Sequence, residues 1–309
     1  MKTIVDYDVI IIGSGPAGMN ACLYASRANL KTLVIERNYP GGKIVKTKKI
    51  ENWLGIQSIE GPELALQMFK HSFSHGGTYE QNNVLDIIDK NEYKEVVLQD
   101  KKYTCYAVII CSGTSERKIG IKGEERFYGK GISYCPVCDA SLYKNKRIVV
   151  IGESDHAVEE TLYLSNFSSD IIFVCEKEIL RINENLNKSM KDKGIKILYK
   201  SKVVEITGNE YVDKIIIERE DGEKEEIGVS VVFPLIGSSP DTLFASRMKI
   251  VDDKNYIEVN EFQETKIKGV FAAGDCTNKP LKQIITASSD GAVAAIEAYK
   301  YINKLNNKK

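Results

Sequence analysis

The chain has 309 residues, and its 43 basic and 43 acidic side chains cancel to a formal net charge of zero. This length accommodates a large core and about two domains, and balanced charge gives no overall field to recruit nucleic acid or an anionic membrane. No run approaches the ~18 apolar residues of a membrane span, and the N-terminal segment lacks a signal-peptide pattern. Seven scattered cysteines are not a secreted disulfide framework. We therefore expect a cytoplasmic protein with no nucleic-acid or membrane partner.

A strand, a glycine-rich turn and a helix open the chain. The apolar run Val9–Ile12 leads directly into Gly13–Gly18, which reads G-S-G-P-A-G, and the composition of 19–28 predicts a helix. A second apolar strand over 32–35 ends at Glu36. Such glycines let a pyrophosphate approach the backbone, the helix N-terminus favours its charge, and the acid binds ribose hydroxyls. This segment therefore predicts a dinucleotide site.

Helices and strands alternate through the rest of the chain. The patterns predict a helix over 61–75, strands within 84–110 and 195–233, a turn at 237–240, a buried strand over 269–275, a last helix opening at Gln283, and a frayed tail over 303–309. The predicted fold class is α/β, with two dinucleotide-binding, Rossmann-like domains of three layers each.

A second, altered copy of the opening pattern begins near the middle of the chain. The strand 148–151 is followed by a turn at 152–157, a helix over 158–167 and a strand over 171–174. In this turn Ser154 takes the place of the middle glycine, and Glu153 adds negative charge where a pyrophosphate would lie. The second unit is therefore a weakened nucleotide site.

The segment Cys135-Pro136-Val137-Cys138-Asp139 lies just before this second unit. Two cysteines three residues apart form either a redox disulfide or half of a metal site, and an adjacent acid can protonate a leaving thiolate. Zinc needs about four ligands, and the sequence has no second Cys-x-x-Cys or Cys/His cluster, so we expect no metal. We interpret the remaining cysteines as small buried apolar residues: Cys22, Cys105, Cys111, Cys175 and Cys276.

Together these motifs resemble the low-molecular-weight thioredoxin reductases over essentially the whole chain. The matching pieces are Gly13–Gly18, Gly41-Gly42, Glu51-Asn52-Trp53, Cys111-Ser112-Gly113, Ser133–Asp139, Gly269–Asp275 and Gln283-Ile284. The resemblance implies an FAD-binding domain formed by 1–114 and 245–309, and an inserted nicotinamide-domain-like redox module at 115–244 that carries the cysteine pair. It also implies a homodimer.

The resemblance implies roles for individual residues as well. Cys138 would face the flavin, Cys135 would attack the disulfide of thioredoxin, and Asp139 would donate a proton. The residues expected to hold FAD are Gly13, Gly15, Pro16, Ala17, Gly18, Glu36, Arg37, Gly42, Lys43, Asn52, Gly113, Gly274, Asp275, Lys282, Gln283 and Ile284.

The second unit departs from the family pattern at the place where NADPH would bind. Members that use NADPH have a G-x-G-x-x-A turn and a His-Arg-Arg run, whereas this chain has Cys175-Glu176-Lys177 at the corresponding strand end. A charge-assisted hydrogen bond contributes about 1.5–3 kcal/mol. Losing an arginine and adding repulsion from Glu153 and Glu176 should cost at least ~3 kcal/mol, or more than a hundredfold in affinity. NADPH is therefore not the expected donor.

Three alternatives remain for the function of this degraded unit. The chain is similar to the ferredoxin-dependent flavin thioredoxin reductases, and its basic segment Lys43–Lys49, which could equally be a solvated loop, would suit an acidic ferredoxin. Transfer from a ferredoxin near about −400 mV to thioredoxin near about −270 mV is downhill by roughly 6 kcal/mol for two electrons. Alternatively, Glu176 binds the ribose of NADH, or the protein is a non-enzymatic flavin redox sensor.

Overall fold

The computed structural model describes residues 4–307, which form two compact units. The first unit comprises 4–115 and 239–307, and the second comprises 116–238. Among the residues described, no helix is both long and apolar enough to cross a membrane.

The first unit begins with alternating strands and helices and continues with a run of strands. These elements are β1 (Tyr7–Ile12), α1 (Pro16–Arg27), β2 (Thr32–Glu36), α2 (Gly61–Ser72), β3 (Thr78–Gln81), β4 (Val84–Asp89), β5 (Lys94–Leu98), β6 (Lys102–Ile110) and β7 (Thr114–Glu116). A 3-10 helix over Gly42–Lys46 precedes α2.

The second unit contains three helices and seven strands before the chain returns to the first. Its elements are α3 (Pro136–Asp139), β8 (Ile148–Ile151), α4 (Asp155–Leu164), β9 (Ile171–Val174), α5 (Glu184–Asp192), β10 (Lys196–Leu198), β11 (Ser201–Gly208), β12 (Val212–Arg219), β13 (Lys224–Gly228) and β14 (Val231–Pro234). The return runs through β15 (Ser238–Pro240) to β16 (Val270–Ala272) and α6 (Ile284–Asn307).

The sheet of the first unit has the strand order β3-β2-β1-β6-β5-β4, and β16 also pairs with β6. Strands β1, β2, β3, β6 and β16 run parallel, whereas β4 and β5 form an antiparallel hairpin against the first half of β6. Helices α1 and α6 pack closely, since a Cβ on Gly291 would lie 2.0 Å from the Ala17 carbonyl oxygen. The carboxyl ends of β1 and β2 lie beside the start of α1, where the Ser14 N–H donates to Glu36.

The second unit combines a parallel sheet with an antiparallel one. The parallel sheet has the order β10-β9-β8-β14, and β11-β12-β13 is an antiparallel meander. Strands β8, β9 and β14 of the parallel sheet are completely buried, as expected for parallel strands that are covered on both faces. The predicted α/β class with two Rossmann-like units is confirmed.

The structure differs from the sequence-based expectation in three places. Residues 238–240, predicted as a turn, form β15, which pairs with β7. Ser115 and residues 239–244, assigned by sequence to the inserted module, belong to the first unit, where the Asp241 carboxylate accepts hydrogen bonds from Arg37 and Ser115. The tail predicted to fray from 303 continues α6 through Asn307, and 308–309 lie outside the described residues.

Candidate functional site

The three glycines of the first turn have different surroundings. A Cβ on Gly13 would lie 2.3 Å from the Cys111 carbonyl oxygen, and one on Gly18 would lie 1.9 Å from the Gly13 carbonyl oxygen. A Cβ on Gly15 would meet no protein atom within 4 Å. Packing of the turn therefore requires Gly13 and Gly18, whereas Gly15 faces open space.

The N-terminus of α1 is suited to an anion. Gly15 is its N-cap, no side chain caps it, and its first turn contains no acid. The Ser14 backbone N–H and hydroxyl donate to the Glu36 carboxylate at 2.8 and 3.1 Å, which fixes this acid beside the turn. Unpaired N–H groups and the helix dipole favour a phosphate at such a position. Pro16 and Ala17 form the first turn of this helix.

Several predicted residues from distant parts of the chain meet in the first unit. The Lys43 ammonium donates to the Thr114 hydroxyl at 2.7 Å and lies 3.9 Å from the Asp275 carboxylate. The Asn52 amide donates to the Gln283 side-chain oxygen at 3.0 Å, which joins the loop before α2 to the start of α6. The fold therefore brings Lys43 beside Asp275 and Asn52 beside Gln283, and the roles of these four residues in cofactor binding remain predictions.

Glycines also shape the rim of this site. Gly42 and Gly113 have φ values of +58° and +70°, and a Cβ on Gly113 would meet nothing within 4 Å. Gly274, with φ +79°, approaches α1 so closely that a Cβ would lie 2.9 Å from the Ala17 Cβ. Its backbone N–H donates to the buried carboxylate of Asp290 at 3.3 Å, a contact that sequence reasoning did not identify.

Three other predicted cofactor residues are engaged with protein groups. Arg37 donates to the Asp241 carboxylate at 2.8 Å, and the Lys282 ammonium lies 3.6 Å from the centre of the Tyr256 ring. Ile284, the first residue of α6, packs against a buried cluster beside α2. The roles of these three side chains in cofactor binding remain predictions.

The cysteine pair lies at the start of the short helix α3. Cys135 and Cys138 are joined by a disulfide with a Cα–Cα distance of 5.3 Å. Cys135 is the N-cap, and the backbone N–H of Cys138 points at its sulfur at 3.2 Å. An N–H in this position stabilises a thiolate on Cys135 once the disulfide opens.

Asp139 ends this helix and is half-buried. Burial raises the pKa of its carboxyl above the usual range, and a hydrogen bond with the Ser133 hydroxyl acts in the opposite direction. A carboxyl with a raised pKa is suited to hold and donate a proton nearer neutral pH. The sequence did not single out Ser133 for a role of its own, because its contact with Asp139 depends on the fold of the loop.

The turn that begins the second unit differs from the first. The Ser154 hydroxyl accepts a hydrogen bond from the Ala157 N–H at 3.2 Å and so caps α4, whose first turn contains Asp155. The Glu153 carboxylate lies 3.6 Å from the Lys177 ammonium. The start of this helix is therefore capped by a protein hydroxyl, and the acids Glu153 and Asp155 flank the capping residue in the chain.

The remaining cysteines agree with the sequence interpretation. Cys22, Cys105, Cys111, Cys175 and Cys276 are free and buried. Within residues 4–307, no group of three or more His, Cys, Asp or Glu residues could hold a metal ion.

Comparisons with known proteins agree with this geometry. A family model described as pyridine nucleotide-disulphide oxidoreductase matches residues 7–291. The thioredoxin reductase of Bacillus subtilis (strain 168) is 42% identical over 302 residues, which cover 97% of this chain and 96% of that protein. The crystal structure of thioredoxin reductase from Streptococcus pyogenes MGAS5005 has a TM-score of 0.94 and 37% identity, covering 96% of this chain and 98% of that one. The chain belongs to the low-molecular-weight thioredoxin reductase family.

Members of the thioredoxin reductase family are FAD-binding flavoproteins, which confirms the expected cofactor. The first unit fits FAD, because the face above Gly15 is open and the N-terminus of α1 has no side-chain cap. At α4 of the second unit, by contrast, the side chain of Ser154 caps the helix. Bound FAD supplies the redox chemistry that connects an electron donor to a disulfide.

Substituting Gly15 with alanine should separate FAD binding from folding. Gly15 has φ −73° and ψ −173°, a conformation that alanine adopts without strain. The added methyl group would project toward the pyrophosphate, so Gly15→Ala should keep its thermal stability and bind FAD at least about tenfold more weakly. Titration of the apoprotein with FAD measures this change.

The matched control is Gly18→Ala, which should unfold at lower temperature whether or not FAD is present. Its new methyl group would clash with the Gly13 carbonyl oxygen at 1.9 Å. If Gly15→Ala binds FAD as tightly as the natural protein, the first turn is not the pyrophosphate site.

Proposed function

We propose that this protein is an FAD-dependent thioredoxin-disulfide reductase that receives electrons from reduced ferredoxin and not from NADPH. The observation that carries the choice of donor is the contrast between the two helix starts. The N-terminus of α1 is uncapped by side chains and has no acid in its first turn, whereas that of α4 is capped by Ser154 and begins with Asp155. The first unit is therefore suited to bind a dinucleotide, whereas the start of α4 in the second unit disfavours the binding of a pyrophosphate.

The surroundings of α4 add to this argument. Glu153 and Glu176 are exposed acids that follow the carboxyl ends of β8 and β9. A nicotinamide cofactor would bind at this edge of the parallel sheet. Lys177, the nearest basic replacement for an arginine, lies 3.6 Å from the Glu153 carboxylate, and its charge is offset there. NADH remains the second candidate because Glu176 lies two residues after the end of β9, where a ribose-binding acid is expected. Glu153 and Glu176 nevertheless oppose its pyrophosphate as well.

In the proposed reaction, Cys135 attacks the disulfide of thioredoxin. The Cys135 thiolate forms a mixed disulfide, and one sulfur of thioredoxin leaves. The Cys138 thiolate then attacks the Cys135 sulfur, which re-forms the disulfide of this protein and releases the second sulfur of thioredoxin. The Cys138 N–H at 3.2 Å from the Cys135 sulfur favours Cys135 as the attacking thiolate, and Asp139 supplies a proton to a leaving thiolate.

The basic segment Lys43–Lys49 is the proposed docking site for the acidic donor. Lys46, Lys48 and Lys49 are exposed, whereas Lys43 turns toward Thr114 and Asp275. Lys49 also lies 2.7 Å from Glu51, so part of its charge is offset. The exposed ammonium groups of Lys46, Lys48 and Lys49 are the ones that would meet an acidic partner.

Anaerobic stopped-flow absorbance tests the proposed donor directly. We expect reduced ferredoxin to bleach the flavin absorbance of the oxidised protein rapidly and NADPH to bleach it at least about a hundredfold more slowly at equal concentration. Subsequent addition of oxidised thioredoxin should restore the flavin absorbance. Rapid bleaching by NADPH would contradict the proposal, and rapid bleaching by NADH would favour the second candidate. If ferredoxin bleaches the flavin and thioredoxin is not then reduced, the protein is a redox sensor.

Reversing the charge of the docking segment should slow electron delivery. The variant Lys46→Glu/Lys48→Glu should be reduced by ferredoxin about tenfold more slowly at low salt, and the difference should shrink as salt rises, because screening removes attraction between separated charges. Stopped-flow rates from about 20 to 300 mM salt measure this dependence.

The control Lys188→Glu/Lys191→Glu makes the same charge change on α5 of the second unit, where both lysines are exposed. It should leave the ferredoxin rate nearly unchanged. Equal rates for the Lys46/Lys48 variant and the natural protein at low salt would place the docking site elsewhere. The homodimer and the cytoplasmic location remain predictions.

A further inference from the structure

A buried carboxylate of α6 joins three other segments of the first unit. Asp290 is only 8% exposed, and its Oδ2 accepts a hydrogen bond from the Gly274 backbone N–H at 3.3 Å. Its Oδ1 accepts a hydrogen bond from the Gln263 side-chain amide at 3.3 Å and forms an ion pair with the Lys279 ammonium. A charge withdrawn from water needs such partners. Asp290 therefore holds the three segments that carry these donors.

The backbone of Gln263 is arranged for this contact. Gln263 has φ +61°, in the left-handed region that side chains rarely adopt, and it is only 2% exposed. Its carbonyl accepts a hydrogen bond from the Ala272 N–H at 3.1 Å, which fixes this residue against β16. An unfavourable backbone conformation persists only where the surrounding structure imposes it. The amide of Gln263 is therefore a donor in a fixed position beside Asp290.

Gly274 connects Asp290 with the start of α1. A Cβ on Gly274 would lie 2.9 Å from the Ala17 Cβ and 3.4 Å from the Ala287 Cβ, so the chain passes closely between α1 and α6. Ala17 belongs to the first turn of α1, whose N-terminus is suited to a pyrophosphate. Asp275 follows Gly274 directly. The bond to Asp290 therefore fixes the backbone at the point where the chain reaches the predicted FAD site.

Lys279 connects Asp290 with the loop that leads to Gln283. This loop and α6 border an open cavity of about 280 Å³. The cavity is lined by Lys279, Pro280, Leu281, Thr286, Ser289 and Asp290. Because the loop is not packed tightly on the helix at the cavity, the ion pair is the contact that joins them there. Four residues after Lys279, Gln283 accepts the hydrogen bond of Asn52 at the predicted flavin end of the site.

We propose that Asp290 is a positioning residue for FAD, which holds two segments of the cofactor site in place through the Gly274 N–H and the Lys279 ammonium. The proposal rests on the predicted FAD contacts of Gly274, Asp275 and Gln283, and it is independent of the electron donor. If the ion pair is removed, binding of FAD has to order the loop after Lys279, and the cost of that ordering weakens binding.

The test is the dissociation constant of FAD, measured by diluting the holoprotein and determining the free FAD after ultrafiltration, below the melting temperature of each variant. Lys279→Met keeps the length of the side chain and removes its charge, so it should bind FAD about tenfold more weakly. The Lys279 side chain is 32% exposed, which makes the change tolerable to the fold. Asp290→Asn should weaken FAD binding at least as much, because a neutral amide oxygen forms no ion pair and has two lone pairs for three donors.

Two further variants separate the ion pair from other effects of substitution. Lys279→Arg keeps the positive charge and should bind FAD with the natural affinity. Lys300→Met removes the ion pair with Glu297, elsewhere on α6, and should also leave the FAD affinity unchanged. If Lys279→Arg binds FAD as weakly as Lys279→Met, the charge of Lys279 does not hold the site.

Natural FAD affinity in Lys279→Met would overturn the proposal, even if Asp290→Asn fails to fold. A lower melting temperature with natural affinity would likewise overturn it, since Asp290 would then stabilise only the fold. Gly15→Ala distinguishes failure of this proposal from failure of the predicted site. If Gly15→Ala weakens FAD binding and Lys279→Met does not, the site stands and the role of Asp290 fails. If neither variant weakens binding, the predicted cofactor site is itself wrong.

Discussion

Cys135→Ser is expected to lower the rate of thioredoxin reduction by at least about a thousandfold while FAD remains bound with unchanged affinity. A serine hydroxyl is not ionised at neutral pH and cannot form a mixed disulfide with thioredoxin. Cys135 belongs to the second unit, whereas the residues that fit the FAD pyrophosphate belong to the first. The variant should therefore separate the disulfide chemistry from cofactor binding.

The measurement is steady-state reduction of thioredoxin by reduced ferredoxin, together with stopped-flow bleaching of the flavin. Bleaching should survive in Cys135→Ser, and thioredoxin turnover should not. Cys138→Ser should also stop turnover, but its intact Cys135 thiol should be trapped as a mixed disulfide with thioredoxin, which is visible on a non-reducing gel.

The control Cys175→Ala replaces a buried free cysteine of the same unit and should retain nearly full activity. Trapping of thioredoxin by Cys135→Ser and not by Cys138→Ser would reverse the assigned roles of the two sulfurs. Turnover by Cys135→Ser at the natural rate would remove this cysteine from the reaction altogether.

The features predicted best from sequence are those that depend on neighbouring residues. The turn Gly13–Gly18 is identifiable because a buried strand, closely spaced glycines and a helix must follow one another to approach a pyrophosphate. The cysteine pair is identifiable because a separation of three residues suffices to close a disulfide around one helical turn. The changes at Glu153 and Ser154 are visible for the same reason, since each occupies a position defined by that short turn.

The features missed from sequence depend on contacts between distant segments. Glu124 has no local pattern that distinguishes it from an exposed acid, and only the fold shows that it accepts hydrogen bonds from two backbone groups and Tyr134. The chain returns to the first unit at Ser239, earlier than the sequence predicted. Asp241, just after this point, pairs with Arg37, which lies 204 residues away along the chain. Local patterns give no information about such pairings.

The second turn shows why a changed motif has to be interpreted together with the side chains around it. A serine in place of the middle glycine could leave a phosphate site usable if its hydroxyl pointed at the ligand. Here the Ser154 hydroxyl caps α4, and Asp155 and Glu153 stand beside it. Under the proposed function, the discrimination against NADPH resides in these few side chains, and changing them should reverse it.

The variant Glu153→Gly/Ser154→Gly/Glu176→Arg/Lys177→Arg is expected to bind NADPH at least about a hundredfold more tightly than the natural protein. The two glycines remove one acid and the side-chain cap from the phosphate turn, and the two arginines supply charge-assisted hydrogen bonds to the 2′-phosphate. Exposure of Glu153, Glu176 and Lys177 makes these changes tolerable to the fold. Loss of the Ser154 cap should cost only a few tenths of a kcal/mol, because glycine is an acceptable N-cap.

Calorimetric titration measures the gain in affinity for NADPH. The same titration with NADH is the matched comparison, because NADH lacks only the 2′-phosphate. The arginine pair alone, Glu176→Arg/Lys177→Arg, should improve NADPH more than NADH, because only NADPH has the 2′-phosphate. The glycine pair alone should improve both ligands similarly, because they share the pyrophosphate. If the fourfold variant binds NADPH no better than the natural protein, these side chains do not determine the choice of donor. Tight NADPH binding by the natural protein would show that Ser154 and the neighbouring acids are tolerated by a nicotinamide cofactor, and the electrons would then not need to come from ferredoxin.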